Sequence, residues 1–402
     1  ADTGKIRYLT ATTQGETLIP LDDKNVPASN AVVWLDSRAQ EEAEDLGTHF
    51  DSDLYYRTTG LPGLDGYAPI AKIKKLMKQF AREGRKVSKF LLLEDFLIWK
   101  LTGRMVTEKT LLSSTGYFDI RQDRIWEEIL YASDIRLDSV PEVLESGQIV
   151  GKVLPEMADY LNISRDTVVV TGAMDQICGA VGCGNLSAGR LHETTGTAMV
   201  IGASTDAPDF ENRYRITIYR HAVRGLYLLL PICRTAAIIQ KWFKEQFCEE
   251  EAKRARETGQ SVYDYLAQIA QNTEFRPEGP LLLPYFNGSL APVSIDTARG
   301  CFWGIGLDTT KADFIRAVPE GIAFMLRENL DMLEKMGIKE NSFYFGGGPS
   351  KNPFWCQLKA DITGKEVLAA DGLESTSFGA ACLAATAAGY FDSLESAAAA
   401  EQ

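Results

Sequence analysis

The sequence predicts a protein of the α/β class, because short apolar runs typical of strands alternate with segments of helical character. The clearest example lies near the middle of the chain. Val168–Val170 is a β-branched run typical of a buried strand, and Gln176–Gly184 is rich in the small residues that favour a closely packed helix. A further strand region follows at Leu191–Val200. With 402 residues, the chain is long enough for two or three domains.

Composition argues against several classes of function. The net charge is −13 and no Lys- or Arg-rich run occurs, so nucleic acid is not an expected partner, since binding its phosphates needs a basic face. No apolar run is long enough to span a bilayer, so no membrane partner is expected either. Seven Cys without a CxxC pair indicate reduced thiols and a cytoplasmic location, and three scattered His argue against a zinc site.

The first half of the chain predicts short strands followed by helices. Ile6–Thr12 is a predicted strand that ends in the polar turn Thr13–Glu16. Asp36 is placed to cap a helix over residues 37–50 and to pair with Arg38. Further segments with helical spacing or character are Ala71–Arg85, Phe90–Leu101, Trp126–Ala132 and Leu154–Leu161. The basic outer face of the first of these is expected to be solvated.

A carboxylate and a hydroxyl-rich bend follow the central strand. Asp175 lies in the turn after that strand, and Thr194–Thr197 form a bend whose hydroxyl and N–H groups can hold phosphate oxygens. The polar stretch Asn185–Gly189 between them is expected to be a hinge. This combination favours phosphoryl transfer to a hydroxyl. Two plainer interpretations stay open: Asp175 as a helix N-cap, and the bend as an ordinary hairpin turn.

The second half of the chain predicts alternating strands and helices that lead to a Gly-rich turn. Thr310–Gly337 predicts a long helix that opens with a capping box completed by Asp313. Asn341–Phe345 predicts a strand that runs into Gly346–Gly348, and the helix Asn352–Ile362 follows. The N–H groups of such a turn can meet a ligand at the N-terminus of the helix.

Together, these stretches resemble the FGGY family of carbohydrate kinases, which phosphorylate glycerol, pentuloses, hexuloses and related polyols. The resemblance covers essentially all 402 residues. The stretches that carry it are TTQGETLIPLD (12–22), AVVWLDSRA (31–39), FLIWKLTGR (96–104), LLLPYFNG (281–288), RGCFWGIGL (299–307), FGGGPSKNPFWCQLKADITGKEV (345–367) and ESTSFGAACLA (374–384). It implies two actin-like, ribonuclease-H-like domains facing a cleft: a sugar-binding domain over residues 1–184 and a nucleotide-binding domain over residues 185–402.

The resemblance also implies a reaction and assigns residues to it. Phosphate passes from ATP to a hydroxyl of a ketose such as xylulose or of a glycerol-like polyol, with Asp175 as catalytic base and substrate ligand. Gln14, Gly15 and Glu16 are assigned to polyol recognition, although a solvated hairpin tip stays open as the alternative. The nucleotide-binding assignments are Gly196, Thr197, Gly347, Gly348 and Asn352. Mg²⁺ is expected on the ATP phosphates without a ligand among these residues, and a homodimer is a common assembly in the family.

The sequence departs from the family pattern at its start. An acidic turn of the type D-x-G-T, which holds metal and terminal phosphates in that family, is not present, so the first domain is expected to be incomplete. Strands 6–12 and 167–172 are then expected to border an empty central position, and this chain alone is expected to have little kinase activity. Ala236-Ala237 stand where relatives carry glycines. The alternative is a non-catalytic sugar-binding relative or an inactive fragment of such a kinase.

Overall fold

The computed structural model of the chain describes residues 3–369 and 374–401. Its strands, in chain order, are β1 (Tyr8–Leu9), β2 (Thr12–Thr13), β3 (Leu18–Leu21), β4 (Lys89–Leu92), β5 (Val106–Glu108), β6 (Phe118–Asp119), β7 (Arg124–Ile125), β8 (Glu142–Leu144), β9 (Ile149–Lys152), β10 (Val168–Val170), β11 (Ala173–Met174), β12 (Leu191–Thr195), β13 (Met199–Thr205), β14 (Ile218–Arg220), β15 (Tyr227–Leu229), β16 (Ile232–Cys233), β17 (Leu281–Leu283), β18 (Cys301–Trp303), β19 (Ser342–Gly346) and β20 (Glu366–Ala369). Its α-helices are α1 (Gln40–Gly47), α2 (Ser52–Thr59), α3 (Pro69–Arg82), α4 (Leu93–Thr102), α5 (Lys109–Leu112), α6 (Glu127–Tyr131), α7 (Pro155–Leu161), α8 (Asp175–Gly182), α9 (Ala237–Phe247), α10 (Glu249–Glu257), α11 (Val262–Asn272), α12 (Lys311–Lys335), α13 (Pro353–Thr363), α14 (Ser375–Ala387) and α15 (Leu394–Ala398). This mixture of strands and helices confirms the predicted α/β class.

The chain forms two compact units. Unit 1 comprises the described parts of Ala1–Ser187, Asp206–Leu228 and Glu374–Gln402. Unit 2 comprises Ala188–Thr205 and the described part of Leu229–Leu373. The first crossing between the units lies a few residues after the domain boundary predicted at 184/185. Later segments return to unit 1, so the compact units do not follow the chain in two continuous pieces.

Unit 1 is built on strands that pair directly with one another. β1 is parallel to β10, with Tyr8 opposite Val168, and β10 is antiparallel to β9. One step further along the chain, β2 is parallel to β11. The expectation of an empty neighbouring position is therefore wrong for strand 167–172. β1, in strand 6–12, has β10 as its one sheet partner among the described residues, so for that strand the expectation stays a prediction. Because β10 already pairs on both sides, its buried N–H and C=O groups find their partners within unit 1.

The helix that follows β11 lies against a second helix of small residues. α8 packs closely against α14, and a methyl group added at Gly182 would overlap the carbonyl group of Ser375. The close packing predicted for Gln176–Gly184 from its small residues is confirmed. Small side chains allow two helix backbones to approach, and this contact fixes the position of α8 within unit 1.

Unit 2 is organised around β12. This strand is antiparallel to β13 and parallel to β19, with Thr194 opposite Gly346 in the second pair. β20 extends the sheet in parallel beyond β19, and β16 pairs antiparallel with β13. Since parallel strands end at the same edge of a sheet, the turns after β12 and β19 lie at one edge.

The capping box of Thr310 and Asp313 opens α12, as predicted.

One local prediction about the first half of the chain is wrong. α1 begins at Gln40, and its N-cap residue is Ala39, without a side-chain cap. Asp36 instead accepts hydrogen bonds from the backbone and guanidinium N–H groups of Arg38, which confirms their pairing. The three residues between Asp36 and α1 therefore form a turn closed by this carboxylate.

In the part of the chain that the structure describes, no helix is both long and apolar enough to cross a membrane.

Candidate active site

Asp175 lies where a short strand gives way to a helix. It is the first residue of α8, whose N-cap position is occupied by Met174 without a side-chain cap. The carboxylate accepts a hydrogen bond from the N–H of the next residue, Gln176, at 2.7 Å. Burial raises the pKa of Asp175, and this hydrogen bond opposes the rise. The interpretation of Asp175 as an ordinary N-cap is therefore wrong, and its second carboxylate oxygen is available to another group.

The pairing of β2 with β11 places the predicted sugar turn next to Asp175. Thr13 lies opposite Met174 in this parallel pair, so Gln14–Glu16 and Asp175 leave the sheet at the same edge. The buried side-chain oxygen Oε1 of Gln14 has no hydrogen-bond partner among the described residues. A buried acceptor without a partner is costly, and a hydroxyl group of a ligand would satisfy it.

Gly15 fits tightly between its neighbours. A methyl group at this position would overlap the hydroxyl oxygen of Ser114 and would come within 3.0 Å of the sulfur atom of Met174. The Ser114 hydroxyl itself donates to the carbonyl of Leu111 at 2.8 Å, which holds it in place. Gly15 therefore brings the backbone of the turn against the segment that follows α5. A larger residue would fit there only by displacing these neighbouring side chains.

Glu16 lies in the electrostatic field of several charged groups. Burial raises the pKa of Glu16 from its ordinary value of 4.5 to about 7; Lys72 opposes this rise, and the negative charges of Asp175 and Asp65 add to it. Glu16 and Asp175 are thus close enough to influence each other within unit 1. Gly15 and the side-chain oxygen of Gln14 are buried, and Gln14 and Glu16 are half-buried, so residues 14–16 are not a solvated hairpin tip.

Lys72 and Tyr219 also belong to this site, and sequence reasoning missed both. Lys72 is only 1% exposed, and its ammonium group donates to the carbonyls of Val33 and Trp34 at 3.0 and 3.2 Å. The expectation of a solvated basic face on the helix over Ala71–Arg85 is therefore wrong for Lys72. Burial lowers the pKa of Lys72, and Glu16 opposes this shift. Burial also raises the pKa of the Tyr219 hydroxyl, and Glu16 and Asp175 raise it further.

One sequence signal could have identified Lys72. It precedes Leu76 and Phe80 by four and eight positions, and all three side chains are buried on one face of α3. A lysine in line with an apolar stripe at this spacing is a candidate for a buried, hydrogen-bonded cation. No comparable signal marks Tyr219, which lies 203 positions after Glu16 and comes under its electrostatic influence only through the fold.

In unit 2, the predicted phosphate-binding residues lie in the tight turn between β12 and β13. The N–H of Gly196 donates to the carbonyl of Ala198 at 2.8 Å, which closes this turn. The carbonyls of Gly196 and Thr197 accept hydrogen bonds from Ala237 and Ala236, each at 2.9 Å. The start of α9 therefore holds the turn through backbone groups, which alanine provides as well as glycine.

The triple-glycine turn lies beside this phosphate turn. Gly347 has a φ of 92°, a conformation that favours glycine, and a methyl group on it would overlap the carbonyl of Thr195. Gly348 opens a short 3₁₀ turn over Gly348–Lys351 that leads into α13. The structure thus brings together Gly196 and Thr197 with Gly347 and Gly348 at one edge of the sheet of unit 2.

Asn352 is held by two contacts of its own. It is the N-cap of α13, where its side-chain oxygen accepts a hydrogen bond from the N–H of Phe354 at 3.0 Å. Its amide nitrogen donates to a carboxylate oxygen of Asp264 at 3.0 Å. Both polar atoms of this side chain are therefore in use, and a bound nucleotide would compete with Asp264 for the amide group.

The comparisons with known proteins agree with this architecture. The N-terminal domain of the FGGY family of carbohydrate kinases matches residues 2–182, and its C-terminal domain matches residues 192–388. A xylulose kinase from Staphylococcus xylosus is 26% identical over 377 residues, which cover 94% of this chain and 76% of that protein. A gluconokinase from Bacillus subtilis is 26% identical over 392 residues, covering 97% of this chain and 76% of the relative.

Similarity extends to solved structures. Ligand-bound xylulose kinase from Lactobacillus acidophilus matches with a TM-score of 0.88 at 25% identity, covering 99% of this chain and 79% of that one. This match confirms the predicted actin-like α/β fold. Because family matches extend over most of its length, the chain belongs to the FGGY family of carbohydrate kinases, which transfer phosphate from ATP to a hydroxyl group of a sugar or polyol.

Proposed function

We propose that the chain phosphorylates an uncharged ketose or polyol, with a pentulose such as xylulose as the first candidate, and that Asp175 is its catalytic base. The substrate hydroxyl attacks the γ-phosphorus of ATP and forms the new O–P bond. The bond between that phosphorus and the bridging oxygen of ADP breaks, and ADP leaves. The hydroxyl proton passes to the Asp175 carboxylate, whose pKa is raised by burial and which therefore accepts a proton more readily.

The observation that carries this proposal is the polar lining of one region of unit 1. It combines the unpartnered oxygen of Gln14, the carboxylate of Glu16 and the carboxylate of Asp175. A polyol presents several adjacent hydroxyl groups that both donate and accept hydrogen bonds. Acceptors spaced around a partly buried site can bind them, and contacts to a carboxylate are stronger than neutral ones.

The charges of this region favour an uncharged substrate over a sugar acid. Glu16, Asp175 and Asp65 are negative when ionised, while the Lys72 ammonium already donates to two backbone carbonyls. A carboxylate-bearing substrate such as gluconate would add another anion. Each like-charge pair about 4–6 Å apart would cost about 3–4 kcal/mol at an effective dielectric constant of about 20. Similarity to a gluconokinase is therefore not a reason to expect gluconate here.

On the nucleotide side, we assign MgATP to the turns of unit 2. Gly196 and Thr197 would hold the transferring phosphate, and Gly347, Gly348 and Asn352 would place the adenosine. Among the described residues, no group of three or more His, Cys, Asp or Glu side chains is arranged to hold a metal ion. We assign Mg²⁺ to this reaction as part of the nucleotide substrate, where it keeps much of its water shell. Catalysis then rests on positioning and charge stabilisation.

Asp175→Asn tests the proposed base. The amide keeps the size of the side chain but cannot take the proton, so we expect turnover to fall at least 100-fold while sugar binding is retained. Glu156→Gln is the matched control, since it changes an exposed carboxylate in the first turn of α7. Retained turnover in the Asp175 variant, measured by coupled ADP release, would remove Asp175 from this role.

A substrate panel tests the preference for uncharged substrates. We expect the kcat/KM values for D-xylulose or glycerol to exceed the value for gluconate at least 100-fold, in proportion to the repulsion estimated above. A higher value for gluconate would overturn the charge argument but leave the kinase assignment intact. Sugar binding by calorimetry without turnover on any of these compounds would favour the non-catalytic alternative.

A further inference from the structure

A buried ion pair in unit 2 joins β12, which leads into the phosphate turn, to α13, which follows the triple-glycine turn. The ammonium group of Lys359, on α13, donates to the carboxylate of Glu193, on β12, and both side chains are at most 1% exposed. The same ammonium donates to the hydroxyl of Thr195 at 2.8 Å, and that hydroxyl donates to the other oxygen of Glu193. The three side chains thus form a closed network.

Aromatic side chains complete the surroundings of this network. The Lys359 nitrogen lies 3.6 Å from the centre of the Phe345 ring and 5.9 Å from that of Trp355. Phe345 is the partner of Glu193 in the parallel pair of β12 and β19. Burial lowers the pKa of Lys359, and Glu193 opposes the shift. The cation is therefore held among Glu193, Thr195 and the ring of Phe345.

Stability alone does not account for two fully buried charges. Removing both ions from water costs several kcal/mol each, and well-packed apolar residues of similar volume are often as stabilising or more so. What such a pair provides is a defined geometry, because the ammonium and carboxylate groups must meet at hydrogen-bonding distance. The segments that carry the two residues are fixed relative to each other as a result.

These segments lead directly to the nucleotide turns. Thr195 is the residue before Gly196, and its carbonyl lies against Gly347 of the triple-glycine turn. Lys359 lies on α13, the helix that follows the triple-glycine turn and begins at the Asn352 cap. A shift of β12 relative to α13 would therefore change the distance between the turn assigned to phosphate and the residues assigned to adenosine.

We propose that Glu193 and Lys359 are positioning residues that hold the phosphate turn and the triple-glycine turn in the register that binds MgATP. This inference rests on the proposed function, since it assumes that both turns bind the nucleotide. Neither residue touches the reacting atoms. Their effect passes through Thr195, which contacts both turns.

A double substitution separates positioning from stability. Glu193→Leu with Lys359→Met replaces the ion pair by apolar side chains of similar length, so the protein should fold with a melting temperature near that of the parent. We expect the KM for MgATP and the Kd for MgADP to rise at least tenfold, while the KM for the sugar changes less than twofold. The single variant Lys359→Met leaves Glu193 buried without its cation and is expected to fold less stably.

The control removes another ion pair from unit 2. Glu250→Gln with Arg254→Gln deletes an exposed pair within α10, a helix that contributes no residue to either turn or to the cavity beside Asn352, and should leave the nucleotide constants within twofold. If the parent binds MgADP and the Glu193/Lys359 double variant binds it with an unchanged Kd, the positioning role is overturned. The assignment of the nucleotide turns is then retained. A parent chain that binds no MgADP would overturn the assignment of the nucleotide turns, and this inference with it.

Discussion

The raised pKa of Glu16 predicts a change in stability with pH that one substitution should remove. In the folded chain the pKa is about 7, against an ordinary value of 4.5, because burial and neighbouring carboxylates disfavour the anion. Between these two values the folded state binds more protons than the unfolded state. Stability is therefore lost as the pH rises through this window. Glu16→Gln replaces the acid by a neutral amide of the same shape and should abolish this loss.

The magnitude follows from the size of the shift. A difference of 2.5 pKa units between 4.5 and 7 corresponds to roughly 3 kcal/mol once the pH exceeds both values. At pH 5 less than about 1 kcal/mol of this cost is present, so the variant should gain about 2–3 kcal/mol over the parent between pH 5 and pH 8. Burial also raises the pKa of Asp95 to about 7. Asp95 is present in both proteins, so its contribution to the pH dependence of stability cancels in the comparison.

Thermal unfolding followed by tryptophan fluorescence measures this gain without substrate. For a unit of this size, about 1 kcal/mol shifts the melting temperature by about 2–4 °C, so the variant should gain about 5–10 °C relative to the parent between pH 5 and pH 8. The control Glu156→Gln changes an exposed carboxylate and should follow the parent at both pH values. If the melting temperatures of the Glu16 variant and the parent change equally with pH, the burial of Glu16 is not the cause of the loss of stability.

Three further substitutions test the packing of the two sites. Gly15→Ala should lower the free energy of unfolding by about 1–3 kcal/mol, and adding Ser114→Gly should recover part of it in urea titrations, because the serine hydroxyl is the overlapping group. Lys72→Met should cost about 1–3 kcal/mol, since two buried carbonyls lose their donor, whereas the more exposed Lys78→Met should be neutral in the same titrations. Gly347→Ala should raise the KM for MgATP at least tenfold, because the methyl group displaces the adjacent turn; an unchanged KM would show that the turn tolerates it.

Much of the local structure was predictable because its causes are local. The β-branched run Val168–Val170 forms a strand, and the capping box of Thr310 and Asp313 starts a helix, where the sequence predicts them. The prediction at Asp36 failed because a nearer partner, Arg38, takes the carboxylate that would have capped the helix. Competition between local hydrogen bonds is decided by backbone geometry, which residue types alone do not specify.

The candidate site was predictable where it depends on residue type and turn chemistry. Gln14–Glu16, Asp175 and the two Gly-containing turns stand out in the sequence as polar or glycine-bearing segments next to strands. The roles of these residues in substrate and nucleotide binding remain predictions. The side chains around them were not predictable, since Lys72 reads as one of several basic residues on an amphipathic helix.

The amino-acid sequence by itself determined the α/β class, the family and the turns on which the proposed chemistry depends, because periodicity, capping and glycine conformation act over a few residues. Only the tertiary structure decided which carboxylates influence each other and which charges are buried. Glu193 and Lys359 are 166 positions apart, and they meet because β19 pairs with β12 and α13 follows β19 along the chain. Burial then sets the pKa of a group such as Glu16, since the loss of water depends on everything packed around the side chain.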